Sequence, residues 1–253
     1  MKIQLLNLKI FAPVFLILNL FFAAMLSAQT IGDYRSSGNG NWTTLSSWQY
    51  YNGSAWVTPT GASPQGYPGQ FAGTGTVTIR DTHTITINAS TPNNFTSLVI
   101  GEGTSGTLVV GADISVLTLD VIINTGGIMT FSGQNEIHFP VNSGIKIYAP
   151  GKIDTSATCT NNVAVYIGAV KFGVCVGSGN AEFSFTQLNT YGGTLFAVPT
   201  SNSPVCQGGI INLFGSYSGP TSSSITYGWS VKAPDNSITT NSIKNTSLTG
   251  SQI

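Results

Sequence analysis

Between Trp42 and Val57 the chain reads WTTLSSWQYYNGSAWV, which gathers Trp42, Trp48, Tyr50, Tyr51 and Trp56 into sixteen residues. Exposed in a row, such rings stack on the apolar faces of sugars. Buried, they fill the end of a hydrophobic core, because aromatic side chains carry large apolar areas. Burial is the commoner fate of these residue types and is the expected one, with the sugar platform as its alternative. The Asn52-Gly53 pair announces a hairpin, and its register decides which faces the rings take. A two-residue loop pairs Trp48 with Val57 and Gln49 with Trp56, so the two tryptophans point to opposite faces. A three-residue loop at Tyr51-Asn52-Gly53 sets Trp48 opposite Trp56 instead.

Other residues offer less chemistry. Asp113, Asp120, Glu136 and Asp154 are carboxylates that could serve glycoside hydrolysis, with Lys146 and Lys152 as charge stabilisers. That reaction needs two carboxyl groups roughly 5–9.5 Å apart. Glu136, His138 and Lys146 fall on neighbouring strand-like runs and could share a face. Only 7% of the residues are charged, and the plainer role for these few is at turns and edges, where charge opposes strand-to-strand aggregation. His83 and His138 are isolated, without a second ligand at metal spacing. No calcium loop, nucleophile elbow, phosphate loop or zinc-peptidase motif is present. The sequence therefore points away from catalysis, and no metal or other cofactor is expected.

The first residues carry an address. Lys2 and Lys9 precede or open an apolar run from Ile10 to Met25, which ends in Ser27-Ala28 before Gln29. A basic start, an apolar middle and small residues at the cut describe a secretory signal peptide over residues 1–28. Interrupted by Pro13 and Asn19, the run falls short of the ~20 apolar residues of a membrane span, so no span is expected after cleavage. Removing the two lysines turns a formal charge of zero into −2, with nothing basic to follow phosphates and hence no nucleic-acid partner. An exported chain meets an oxidising space. Cys159 and Cys175 then form the expected disulfide across a short loop, worth about 3 kcal/mol by chain entropy, and Cys206 is left unpaired.

The elements that must position these residues are strands. Beyond Gln29, helical periodicity is nearly absent, while TVTIRD, HTITIN, SLVIG, TLVVG, VLTLDVIIN, IMTF, EIHFP and IKIYA alternate between Gly, Asn, Ser and Asp turns. TSLVIGEGTSGTLVV, TLDVIINTGGIMTF and EIHFPVNSGIKIY share a template with glycines at Gly106, Gly127 and Gly144. A period of roughly 20 residues reads as an all-β β-solenoid of parallel β-helix type, favoured over a β-sandwich. The aromatic, Gly-rich segment 29–74 suits the N-terminal cap such a stack requires. The solenoid then covers 75–198, and a linker 199–204 leads to a different segment, 205–253.

That last segment, PVCQGGIINLFGSYSG…YGWSVKAPDNS, resembles the PKD and immunoglobulin-like repeats of large secreted bacterial proteins, through Cys206, Leu213, Trp229, Pro234 and Asp235. The resemblance implies a sandwich whose cysteine pairs near the domain's end. With about 50 residues against the ~100 such a sandwich needs, the segment reads as a truncated domain. The front, IGDYRSSGNGNWTTLSSWQYYNGSAW with YPGQ and VTIRDTHTITI, is similar to the N-terminal module of surface proteins of gliding bacteria that use the type IX secretion route. It implies an extracellular or cell-surface location, or a periplasmic one without a sorting domain.

The reading is an exported, non-catalytic surface protein with a structural or adhesive role, its partners being extracellular polysaccharide or other surface proteins. The first alternative is a carbohydrate-binding module centred on Trp48 and Trp56. The second is a polysaccharide-degrading β-helix enzyme.

Overall fold

The computed structural model describes residues 29–155, 159–176, 180–194, 196–197, 200–202, 210–215, 217–218, 228–232, 238–242 and 245–248. The signal-peptide reading of 1–28, and the readings on Cys206, Pro234 and Asp235, lie outside the described residues. All that follows concerns the unit Ile31–Ile253.

Alternation in the sequence becomes alternation in burial. TITI, TLVV, IMTF, EIHF and GIKI each place every second side chain inside, as the period of two along a strand requires. Two short strands open the fold, β1 (Tyr34–Ser36) and β2 (Gly40–Asn41), and a hairpin follows, β3 (Trp48–Tyr51) and β4 (Trp56–Val57). The chain then winds through β5 (Thr74–Ile79) and β6 (Thr84–Ile87). Three turns with all three sides in strand come next. They are β7 (Phe95–Ile100), β8 (Thr107–Val110) and β9 (Ile114–Ser115); then β10 (Asp120–Ile123), β11 (Ile128–Phe131) and β12 (Glu136–Phe139); then β13 (Gly144–Ile147), β14 (Lys152–Ile153) and β15 (Ala164–Ile167). Like sides pair in parallel, giving β13-β10-β7-β5-β1 in the first sheet, which β3 and β4 extend antiparallel, then β14-β11-β8-β6-β2, and the β15-β12-β9 part of the third. This is the expected all-β solenoid.

The registers stack identical inward positions into columns. Val77, Leu98, Val121 and Ile145 form one and Ile79, Ile100, Ile123 and Ile147 another. Ile85, Leu108, Met129 and Ile153 form a third, from the second sheet. Each buried aliphatic side chain removes apolar surface from water, worth ~1.5–3 kcal/mol, and no single turn could bury its own face. The registers also fix the phase of the repeat. Val77 pairs with Leu98 and Leu108 with Met129, 21 residues on, while Leu98 pairs with Val121 and Val121 with Ile145, 23 and 24 on, so the repeat runs from 21 to 24 residues in these two sheets. EIHFPVNSGIKIY is out of phase with the other two segments: it supplies β12 and β13, whereas the equivalent of β7–β8 and β10–β11 is β13–β14. Short apolar runs on three sides look alike in sequence, which is why a slip by one side is invisible there.

Turns are packed backbone on backbone. A Cβ on Gly127 would sit on the Ile100 carbonyl oxygen, and one on Gly151 on that of Asn124. Side chains at the corners supply what the ladders leave unpaired. Asp33 accepts from the Thr76 N–H (2.8 Å), Asn39 from Thr84 (2.7 Å), Ser90 from Ser115 (2.9 Å) and Asp113 from Glu136 (2.9 Å).

Both ends of the stack are closed. At the start, Trp42 and Trp48 are fully buried, edge to face with centroids 5.0 Å apart, and Trp42 lies 6.1 Å from Phe95. Their indole N–H groups donate to Pro68 O (2.9 Å) and Trp42 O (2.7 Å), so burial strands neither. The last turn carries β16 (Val170–Val174) antiparallel on β15, β17 (Phe183–Ser184) parallel on β16, and the helix α1 (Phe185–Tyr191). The helix is unforeseen in the sequence reading, yet it has a local signature. Ser184 and Gln187 form a reciprocal capping box and Gly192 ends the helix left-handed at φ 79°. Phe185 stacks on Phe131 at 5.6 Å.

Beyond Thr194 the strands are antiparallel: β18 (Phe196–Ala197) with β21 (Tyr217–Ser218), β20 (Ile211–Phe214) between β19 (Thr200–Ser201) and β24 (Asn245–Leu248), and β22 (Trp229–Lys232) with β23 (Ile238–Asn241). Thr200 and Ser201, read from sequence as linker, are therefore part of a ladder. Leu213 and Trp229 both fall on strands.

Candidate functional site

The hairpin takes neither of the two registers considered from sequence. Tyr50 pairs with Val57 and Tyr51 with Trp56, leaving a four-residue loop from Asn52 to Ala55. The Asn52 side-chain oxygen explains the longer loop. It accepts from the Ser54 and Ala55 N–H groups at 3.0 and 2.9 Å, and the Asn52 N–H donates to Ala55 O at 3.1 Å. Asn52 thus acts as a side-chain turn former rather than as the corner of a two-residue turn.

Alternation then divides the five aromatic residues. Trp48 and Tyr50 point inward beneath β1, and Tyr50 packs edge to face on Tyr34 at 5.2 Å. Burial first, and then Tyr50, raise the Tyr34 hydroxyl above its ordinary pKa. Trp42 is buried as well. Tyr51 and Trp56 remain half-buried on the outward face as a cross-strand pair, centroids 5.3 Å apart. A five-ring platform is therefore not what the fold builds: three rings close the core, and two face solvent.

A basic residue completes the outward pair. Arg35 on β1 sets its guanidinium 4.3 Å from the Trp56 ring centroid and donates from Nε to Gln49 Oε1 at 2.8 Å. Gln49 lies directly across from Arg35 in the ladder. Burial first, then Arg80, lowers the Arg35 pKa, while Glu102 raises it. Tyr51, Trp56, Gln49 and Arg35 thus form one patch with a flat aromatic base, an amide and a cation. Chemically it can stack on a sugar ring and donate hydrogen bonds to its oxygens. Arg35 was missed from sequence; the YRS strand parity would reveal it only once β1 is known to lie beside β3.

The carboxylates scatter over all three sheets. Asp120 begins β10 in the first sheet, Asp154 follows β14 in the second, and Glu136 lies on β12 in the third. Asp113 spends its carboxylate on the Glu136 N–H, and Asp154 pairs with Lys152 at 3.3 Å. Glu136 and His138 do share an outward face (Oε2 to Nε2, 3.4 Å), but Lys146 lies in the first sheet, so the expected trio does not form. Their actual neighbours are Tyr166, stacked on His138 at 4.4 Å and 10°, and Lys171, 5.9 Å from the Tyr166 ring. Burial, and then Glu136, raise the Tyr166 pKa. His83, the other histidine, sits with Nδ1 2.8 Å from Ser36 Oγ. Among the described residues no group of His, Cys, Asp and Glu could hold a metal ion, and no helix is long and apolar enough to cross a membrane.

Cys159 and Cys175 are joined by a disulfide with Cα atoms 5.1 Å apart, tying the last turn to β16. Comparison of the chain with protein-family models, with curated proteins and with solved structures finds no match.

Proposed function

We propose that this chain is an exported surface module that binds carbohydrate without processing it, through Tyr51, Trp56, Gln49 and Arg35. The observation that carries the reading is the Tyr51–Trp56 pair, kept on the outward face beside a cation while Trp42, Trp48 and Tyr50 complete the core. Rings needed only for stability would gain more from burial. Aromatic rings with a polar rim are a common way for a binding site to combine contact area with orientation. The site moves relative to the sequence reading: Trp56 stays, and Trp48 becomes its support.

Export rests on the leader-like residues 1–28, and attachment to a cell surface on the resemblance to modules of the type IX route. The antiparallel strands beyond Thr194 are read as part of an immunoglobulin-like or PKD-like domain, supported by Leu213 and Trp229 falling on strands. The structural or adhesive role remains as the second reading, favoured by the closed ends and the disulfide.

A glycan array probed with the whole chain tests the proposal. Trp56→Ala should lose binding yet unfold at the wild-type denaturant midpoint, whereas Trp48→Ala should cost about 3–5 kcal/mol of stability. Glycan binding that survives Trp56→Ala would overturn this site. An absence of any glycan binding would leave the structural role.

A further inference from the structure

The Trp56 patch is one end of a longer row. Through the parallel registers Arg35 pairs with Thr78, Thr78 with Val99, Val99 with Ile122 and Ile122 with Lys146, and Arg35 faces Gln49 on the other side. All six side chains lie outward and half-buried on one seven-stranded sheet. Adjacent strands are ~4.8 Å apart, so Arg35 and Lys146 stand about 19 Å apart along the solenoid axis. Between them lies a flat lane without charge: Thr78, Val99 and Ile122.

The ends of the lane match. Arg35 sits over Trp56 at 4.3 Å, and Lys146 sits over Tyr148, itself 43% exposed, at 4.9 Å. Each end therefore offers a cation seated on an aromatic ring. Arg80 lies outward on β5's strand line two residues beyond Thr78, roughly 8 Å from Arg35 by sheet geometry. Its charge is engaged by Glu102 at 3.3 Å. Among the described residues Arg35 has no carboxylate at ion-pair distance. Arg35 spends its Nε–H on Gln49, and the terminal N–H groups of a guanidinium are suited to an incoming carboxylate or sulfate. The acidic residues nearest the row are Asp33, which is buried two residues before Arg35 and accepts from the Thr76 N–H, Glu102, which is occupied by Arg80, and Asp120 at the start of β10.

We infer that this face binds a linear acidic polysaccharide, laid along the solenoid axis with an anionic substituent on Arg35 and another on Lys146. Sugar rings would rest on Trp56 and Tyr51 at one end, on Tyr148 at the other, and on the Thr78–Val99–Ile122 lane between. The inference rests on the carbohydrate-binding reading above and adds the ligand's charge and direction. A cation at each end and neutral, partly apolar residues between suit an extended chain with spaced charges better than a compact anion. Elsewhere the chain is poor in cations, so this pairing is not a general basic surface.

The test is binding of the whole chain to polygalacturonate, dextran sulfate, unsubstituted dextran and polyglutamate, with Arg35→Gln, Lys146→Met and the double variant. These positions are outward, and thermal unfolding confirms that the variants fold. Retention of either anionic polysaccharide over dextran and over polyglutamate is expected, and which of the two binds tighter assigns carboxylate or sulfate as the recognised group. Each single substitution should weaken it roughly tenfold, the double variant more, and added salt should weaken the wild type. Equal binding of polyglutamate, or no loss in the double variant, would overturn the inference. Binding confined to dextran or other neutral glycans would overturn the acidic ligand while leaving carbohydrate binding standing. No glycan binding at all would remove both.

Discussion

Asp81 shows what one side chain does at a corner of this fold. Its carboxylate accepts from the N–H groups of Glu102 (2.7 Å), Ser105 (3.1 Å) and Thr104 (3.2 Å), and from the Thr104 hydroxyl (2.7 Å). Partial burial pushes its pKa up, but the Thr104 hydroxyl and the three backbone donors outweigh it and hold the group at about 2. A carboxyl depressed on folding stabilises the folded state fully above its ordinary value of 3.8, and that contribution is lost as the pH falls through about 2. Asp81→Asn should therefore be less stable than wild type at neutral pH and converge on it in acid. Denaturant midpoints along that descent check this, and a constant gap down to pH about 2 would count against it. At this scale the sequence is a poor guide. "RDTH" marks a turn, but nothing in it says that the donors lie more than twenty residues later, one full turn of the solenoid away.

Elements face a different problem, the free edge at each end of a stack of parallel strands. An unpaired edge templates aggregation. Here the second sheet ends at β14, and Asn189 of α1 closes it by imitating a peptide group. Its Oδ1 accepts from the Ile153 N–H at 2.8 Å and its Nδ2 donates to Ile153 O at 2.8 Å. Thr194 serves the first sheet in a similar way, accepting from the Ile145 N–H at 3.0 Å. Asn189→Leu should cost about 1–3 kcal/mol, because it leaves two strand groups without partners, and should raise the rate of aggregation. Chemical denaturation and light scattering measure the two effects; an unchanged midpoint would show that water replaces the amide. Helix α1 was legible in outline through Ser184, Gln187 and Gly192, but seven residues give too short a periodic pattern to stand out among strands. The strands themselves were legible because alternation survives wherever one face is buried.

The whole solenoid is a sum of neighbouring turns, so its stability depends on where it is clamped. Trp42 and Trp48 clamp one end, and the Cys159–Cys175 disulfide fastens β16 near the other. Reduction should lower stability by about 3 kcal/mol in the chain-entropy account. Hydrogen exchange should rise first in β15 and β16 and last in β7 to β11, where the stack has neighbours on both sides. Uniform loss of protection across all turns would mean that the stack unfolds as one unit. The same geometry creates the Arg35-to-Lys146 row. Residues more than a hundred positions apart become aligned because four parallel registers hold in succession.

Composition and alternation were enough to establish an all-β chain, a stacked repeat, an aromatic end segment and few charges, since each follows from local patterns of burial. The registers were decided only by tertiary structure. Asn52 lengthened the hairpin loop, which set Tyr51 rather than Gln49 or Trp48 opposite Trp56 and left Trp48 on the inward face. The repeat varies from 21 to 24 residues between turns, and glycines such as Gly127 and Gly151 let successive turns pass backbone over backbone. A one-residue difference in register exchanges the faces of a strand, and the local sequence costs almost the same either way. That is why the core could be read from the sequence while the membership of the outward face could not.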